Sequence, residues 1–169
     1  MENPVLENMM TRASVRKFTN QPVEEEKIDA MLHAAMAAPS AVNKQPWHFV
    51  VVTHPSVQAN INQYRSPLSI VVCLDTTKTM QMGKEWILCD GSLASENILL
   101  AAHALGLGGI WTAVFPVTDI MQRVSKAIAL PDNMIPLNVI QIGYPEGEVK
   151  PTNKWNPDNV SYDTFGRKK

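Results

Sequence analysis

The sequence predicts an α+β fold built as one layered domain. Four short apolar runs rich in β-branched residues, Phe49–Val52, Leu68–Leu74, Ile110–Phe115 and Val139–Ile142, are bounded by turn signals and read as buried strands. Segments with apolar residues at spacings of three and four alternate with them and read as helices. With 169 residues, 45% of them hydrophobic, the chain can bury one substantial core and is too short for two separate functional domains.

A short helix is expected around Val5 to Met10, delivering Arg12 to the turn after it. From Glu24 to Met36, Ile28, Met31, Leu32, Ala35 and Met36 form one apolar face, and Glu24, Glu25 and Glu26 suit the positive amino end. Pro39 stops this helix, because it lacks an amide hydrogen and its ring clashes with the preceding turn. Ser40, Asn43 and Gln45 then fall in a loop before the strand that contains Trp47 and Phe49–Val52. The longest helix is expected over Trp86 to Leu105 and is marked at its end by Gly106. It is apolar on nearly every side from Ile98 onward, so a sheet or a partner must enclose it. A last helix runs from Thr118, a capping residue, to Ala127, with Ile120, Met121, Val124 and Ile128 as its apolar face. Residues 146–169 are polar, carry Pro151 and Pro157, and hold only isolated large apolar residues, so they are either disordered or an arm laid on another surface.

The formal net charge of −1 gives no reason to expect nucleic acid, and the basic end Arg167-Lys168-Lys169 reads as a solvated tail. No stretch is long and apolar enough to span a bilayer, and the start has neither the basic end nor the apolar middle of a leader, so a cytoplasmic protein is expected. Cys73 and Cys89 lack the spacing of a redox pair and read as buried thiols. His33, His48, His54 and His103 form no ligand set, and no metal is expected.

Two segments carry the chemistry. Arg12-Ala-Ser14-Val-Arg16 offers two permanently charged, forked donors around a hydroxyl, which suits a phosphate. Pro39-Ser40-Ala41-Val42-Asn43-Lys44-Gln45-Pro46-Trp47 is a polar loop at the mouth of a strand, where open sheets usually place ligands. Gln45 either reaches a ligand or bonds within its own turn. Gly106-x-Gly108-Gly109 is not a dinucleotide fingerprint, since it follows a helix and enters a strand.

With Leu105-Gly-Leu-Gly-Gly-Ile-Trp111 and Gly143-Tyr144-Pro145, these segments make four blocks in which the chain resembles the nitroreductase family nearly end to end. The resemblance implies a nitroreductase-like fold, with a central, mostly antiparallel sheet flanked by helices and residues 146–169 crossing onto a dimer partner. It implies bound FMN, NADH or NADPH as electron donor, and a small acceptor such as a nitroaromatic, a quinone or free flavin. Arg12, Ser14 and Arg16 would meet the phosphate and ribityl end. Lys154 from the arm would complete the clamp, with Lys150 as second choice. The family commonly has two closely spaced basic residues there, where this chain has Lys150-Pro-Thr-Asn-Lys154. Pro39, Ser40, Ala41 and Asn43 would approach the flavin from the opposite subunit, with Gln45 near the ribityl chain or pyrimidine ring. The Ala113 amide would bond flavin N5, with Trp111, Thr112 and Val114 against the ring edge. No side chain need be catalytic, because the flavin carries the chemistry. Asp90 and Glu96 read as capping or interface groups. Alternatives are a flavin-binding, redox-responsive module without turnover, a reductive dehalogenase-like relative, and a purely structural dimeric domain.

Overall fold

The computed structural model describes residues 3–81 and 83–169. Met1 and Glu2, which begin the segment read as lacking a leader pattern, lie outside the described residues. Helix α1 (Pro4–Thr11) starts where the Asn3 side chain accepts the amides of Val5 and Leu6 at 3.0 and 3.2 Å, with Pro4 at the first position, where its missing donor costs nothing. Helix α2 (Glu25–Met36) follows, then β1 (Trp47–Val52), α3 (Pro55–Ile61), β2 (Leu68–Asp75), α4 (Trp86–Ala104), β3 (Gly108–Ala113), α5 (Thr118–Ala127) and β4 (Met134–Gly143).

The four strands form one antiparallel sheet in the order β1-β2-β4-β3. Central strands β2 and β4 are almost wholly buried, which is why both read as continuous apolar runs. One face packs on α2 and α4 through Met31, Ala35, Ile70, Ile98 and Ile140; the other packs on α3 and α5 through Ile61, Val71, Val124 and Val139. Gly91 brings α4 close to the sheet: a Cβ there would come within 2.5 Å of a Leu74 methyl.

Several expectations are corrected. The short helix α3 has only Val57 and Ile61 as an apolar pair, too weak a pattern to register in the sequence. Strand β4 begins at Met134 rather than Val139, because Pro136 sits at a register shift where Val72 faces Asn138 and Cys73 faces Pro136; proline is tolerated at such a bulge. Strand β3 takes in both glycines and ends at Ala113, since the amides of Val114 and Phe115 converge on the Leu137 carbonyl at 3.2 and 3.0 Å. Thr118 is the first residue of α5 rather than its cap. The Val114 carbonyl accepts the Val117 amide, and Val117 holds the cap position with no side-chain bond. Cys89 is exposed, because Ile87, Asp90, Gly91 and Ala94 define the buried face of α4 and leave residue 89 outside it.

Ile140 is fully buried. Ile140→Ala is expected to lower unfolding free energy by about 2–5 kcal/mol, read as a fall in the urea midpoint at unchanged slope.

Candidate functional site

The segment Arg12 to Arg16 wraps around the outer edge of β3. Helix α1 is pinned to α4 by the Asn8 amide donating to the Leu100 carbonyl at 3.0 Å and by Thr11 Oγ1 at 2.9 Å from His103 Nε2. It ends at Arg12, whose backbone turns extended. On the α4 side, Arg12 Nε lies 3.4 Å from Glu96 Oε1. Ser14 then runs parallel beside Gly109, and the Val15 amide donates to the Gly109 carbonyl at 3.1 Å. The approach needs glycine: a Cβ on Gly108 would lie 2.5 Å from Val15 Cγ2. Val15 and Phe18 pack with Ile110 and Tyr64 on the opposite face, so the exposed Arg16 emerges there, lining a cavity of about 620 Å³ with Tyr64 and Arg65. Two guanidinium groups thus flank the edge with Ser14 between them. Arg12 also lines a cavity of about 780 Å³ with Lys154 and Trp155, whereas Lys150 pairs with Glu148 at 3.5 Å.

Beyond Gly109 no strand or bridge among the described residues pairs with the outer edge of β3. Residues of an antiparallel pair alternate between those bonded to the partner strand and those turned away. The Val114 amide bonds Leu137, and Thr112 and Ile110 share its phase. The amides of Trp111 and Ala113 therefore point out of the sheet. The Thr112 hydroxyl donates to the Val139 carbonyl at 2.7 Å and accepts from Gln141 Nε2 at 3.0 Å. Gln141 is fully buried, and its Oε1 accepts the backbone amides of Gln63 and Tyr64 at 3.0 and 2.7 Å. One buried amide thus ties the loop after α3 to the β3 edge. Sequence reasoning missed it, although a polar residue inside the run Val139–Ile142 was the available signal.

The loop from Pro39 to Gln45 lies at the other end of the sheet. Asp90, 4% exposed, accepts the Ala41 amide at 2.9 Å, which assigns it a loop-anchoring role. Ser40 Oγ accepts the Gln45 amide at 3.0 Å, Gln45 Nε2 donates to Asn43 Oδ1 at 2.9 Å, and Lys78 Nζ donates to the Gln45 carbonyl at 3.1 Å. Val42, Asn43 and Gln45 have positive φ of 44°, 55° and 47°, a conformation that costs of order 1–3 kcal/mol per non-glycine residue and that these bonds offset. Pro39, Asn43 and Gln45 are exposed; Ser40 and Ala41 are half-buried.

Within one chain the two segments do not meet. Trp47 faces Leu74, which faces Ile135, while Gly109 faces Ile142. Seven residues of strand and three strand spacings separate those points, roughly 25 Å.

Among the described residues no three His, Cys, Asp or Glu side chains gather as a metal site, and no helix is long and apolar enough to cross a membrane. Burial pushes the Cys73 thiol up to about 12, so it stays protonated and inert at neutral pH. Tyr144 donates its hydroxyl to Glu24 at 2.7 Å and receives Lys27 Nζ at 2.7 Å, locking the start of α2 to the end of β4. The tyrosine hydrogen bond, then a backbone hydrogen bond and after it the nearby lysine, hold the Glu24 carboxyl below its usual range.

The family model described as the Nitroreductase family matches residues 9–64 and 58–144. A Methanothermobacter thermautotrophicus protein provisionally named NADH dehydrogenase/NAD(P)H nitroreductase is 40% identical over 164 residues, covering 92% of this chain and 85% of its own. The crystal structure of a Parabacteroides distasonis protein of the same provisional name superposes with a TM-score of 0.88 at 41% identity, covering 97% of this chain and all of that one. An FMN-dependent nitroreductase from Clostridium difficile gives 0.87 at 28% identity, covering 95% and 99%.

Gln141→Leu removes the side-chain acceptor of the Gln63 amide and one of the two acceptors of the Tyr64 amide, which keeps Asn62 Oδ1 at 3.0 Å, a loss of about 0.5–1.5 kcal/mol per bond. Hydrogen exchange at Gln63 should accelerate markedly, and at Tyr64 less, while exchange in α2 stays slow. In native protein at pH 8, a thiol reagent should modify Cys89 alone, and Cys73 only after unfolding.

Proposed function

Because the chain belongs to the nitroreductase family and is an NAD(P)H-dependent oxidoreductase, we propose that it holds FMN between two copies of itself and reduces a small acceptor: a nitroaromatic, a quinone or free flavin. The observation that carries this reading is the pairing of Arg12, Ser14 and Arg16 around an edge strand with the outward amides of Trp111 and Ala113. The donor set fits the group. Two permanent cations and a hydroxyl suit a phosphate dianion, and an outward amide on a largely apolar edge suits a ring nitrogen. Bound FMN would supply the hydride chemistry, taking two electrons from the nicotinamide and passing them on.

This chain's residues then bind, orient and enclose. Arg12 and Arg16, with Lys154, hold the phosphate and ribityl end, and Ser14 adds a donor. The Ala113 amide orients the ring, and Trp111, Thr112 and Val114 line its edge. Pro39, Ser40, Ala41, Asn43 and Gln45 of the second copy close the site, because their own chain holds them roughly 25 Å away. Residues 1–169 act as one domain, and residues 146–169 are an arm laid on the second copy. Trp155 at 72% and Phe165 at 104% exposure are large apolar groups that a partner surface would cover.

The test is the visible spectrum of the purified protein, followed anaerobically as NADH or NADPH is added. Yellow protein that bleaches and recolours with a quinone or nitroaromatic is expected; protein that cannot be loaded with FMN would overturn the reading. Arg12→Ala should raise the FMN Kd about 10- to 100-fold, the equivalent of one charge-assisted contact, with the urea midpoint little changed.

A further inference from the structure

A cavity of about 370 Å³ lies between the end of β3 and the end of α3. Thr112, Ala113 and Val114 form one wall, so it is the ring end of the site already described; residues 59–63 form the facing wall. Gln141 does not line this cavity but stands behind it and bonds both walls. It is fully buried on the central strand β4, where it faces Ser69 on one side and Ile110 on the other. Its orientation is fixed by its neighbours. Oε1 accepts the amides of Gln63 and Tyr64 at 3.0 and 2.7 Å, and a side chain turned end for end would set its amino group against those donors. Nε2 therefore faces Thr112, whose hydroxyl gives its one proton to the Val139 carbonyl at 2.7 Å and accepts from Gln141 at 3.0 Å. An apolar residue would serve the sheet alone, and a buried amide is costly unless bonded. What the amide adds is a fixed spacing between the walls. The other side-chain bonds of the loop are local: Asn62 ties it back to Gln58 and Ser66, whereas Gln141 ties it to the β3 edge.

We propose that Gln141 is a positioning residue for the cofactor: it holds the loop wall and the β3 edge at the spacing the flavin ring needs, and through Thr112 it sets the aim of the neighbouring Ala113 amide. The inference rests on the flavin reading. Without the link each wall keeps its local bonds but loses its register against the other, and a ring held between them binds less tightly. The Ala113 amide is a donor suited to an unprotonated ring nitrogen, and that nitrogen carries hydrogen once the ring is reduced. A loosened edge therefore weakens oxidised FMN more than reduced FMN, and the midpoint potential of the bound cofactor rises.

The test is the Kd for oxidised FMN, by fluorescence titration, and the midpoint potential of bound FMN in wild type, Gln141→Met, Thr112→Val and Ile70→Ala. Gln141→Met keeps the length of the side chain without its bonds. Thr112→Val keeps the shape of the residue and cuts only the β3 side of the link, so it decides the matter if Gln141→Met does not fold. Ile70 is fully buried on the opposite face of the sheet, and Ile70→Ala lowers the urea midpoint without touching the link. Gln141→Met should raise the Kd about tenfold and the potential by up to about 30 mV, the equivalent of tenfold for a two-electron couple. Thr112→Val should move both in the same direction by less, and Ile70→Ala should change the Kd less than twofold at an unchanged potential. Gln141→Met and Thr112→Val that bind FMN within twofold of wild type at an unchanged potential would overturn the proposal, because Gln141 would then serve the fold alone. So would an equal effect from Ile70→Ala. Wild type that takes up no FMN would overturn the flavin reading and this role together, whereas loaded wild type with indifferent variants overturns this role alone.

Discussion

An edge strand presents a row of backbone donors and acceptors that something must satisfy. In this fold the edge is β3, and its two halves are treated differently. The first half is covered by the chain itself, through Ser14 and Val15 beside Gly109, an approach that Gly108 and Gly109 make sterically possible. In the second half, the amides of Trp111 and Ala113 turn outward. The same covering segment carries Arg12 and Arg16 to the two sides of that edge, so the strand that needs a partner and the charges that need an anion are placed by one contact.

The second constraint is the length of the sheet. Helix α4 runs along it, anchoring the Pro39–Gln45 loop through Asp90 near its start and meeting Arg12 through Glu96 farther on. Each carboxylate has a structural partner in this arrangement, the Ala41 amide for Asp90 and the Arg12 guanidinium for Glu96. The strained loop and the arginine segment are held rigidly apart, and a site that used both would need two chains. Exposed apolar groups on α1, including Val5 and Met10, and on the arm, Trp155 and Phe165, supply surface for such a pairing.

Much of this was legible in the sequence. Apolar periodicity located α2, α4 and α5, and the β-branched runs located all four strands, because buried strands and amphipathic helices leave strong local patterns. Weaker patterns failed: α3 is held by the buried side chain of Gln58 as much as by apolar contact, and Pro136 disguised the start of β4. The motifs at Arg12–Arg16 and Pro39–Gln45 were visible as donors, but nothing local indicates that a sheet separates them; only the family resemblance implied different subunits. Gln141 went unnoticed because its role depends on Gln63 and Tyr64, which are distant in sequence.

The measurement that tests the account most directly is complementation between two defective variants, Arg12→Ala/Arg16→Ala at one end of the sheet and a Pro39–Gln45 loop deletion at the other. If each site is built from the arginine end of one chain and the loop of another, random reassortment yields half heterodimers, each with one intact site, so about a quarter of sites should recover FMN binding. If each site lies within a single chain, every chain in the mixture keeps its own defect, and no recovery above the separate variants would contradict the shared site.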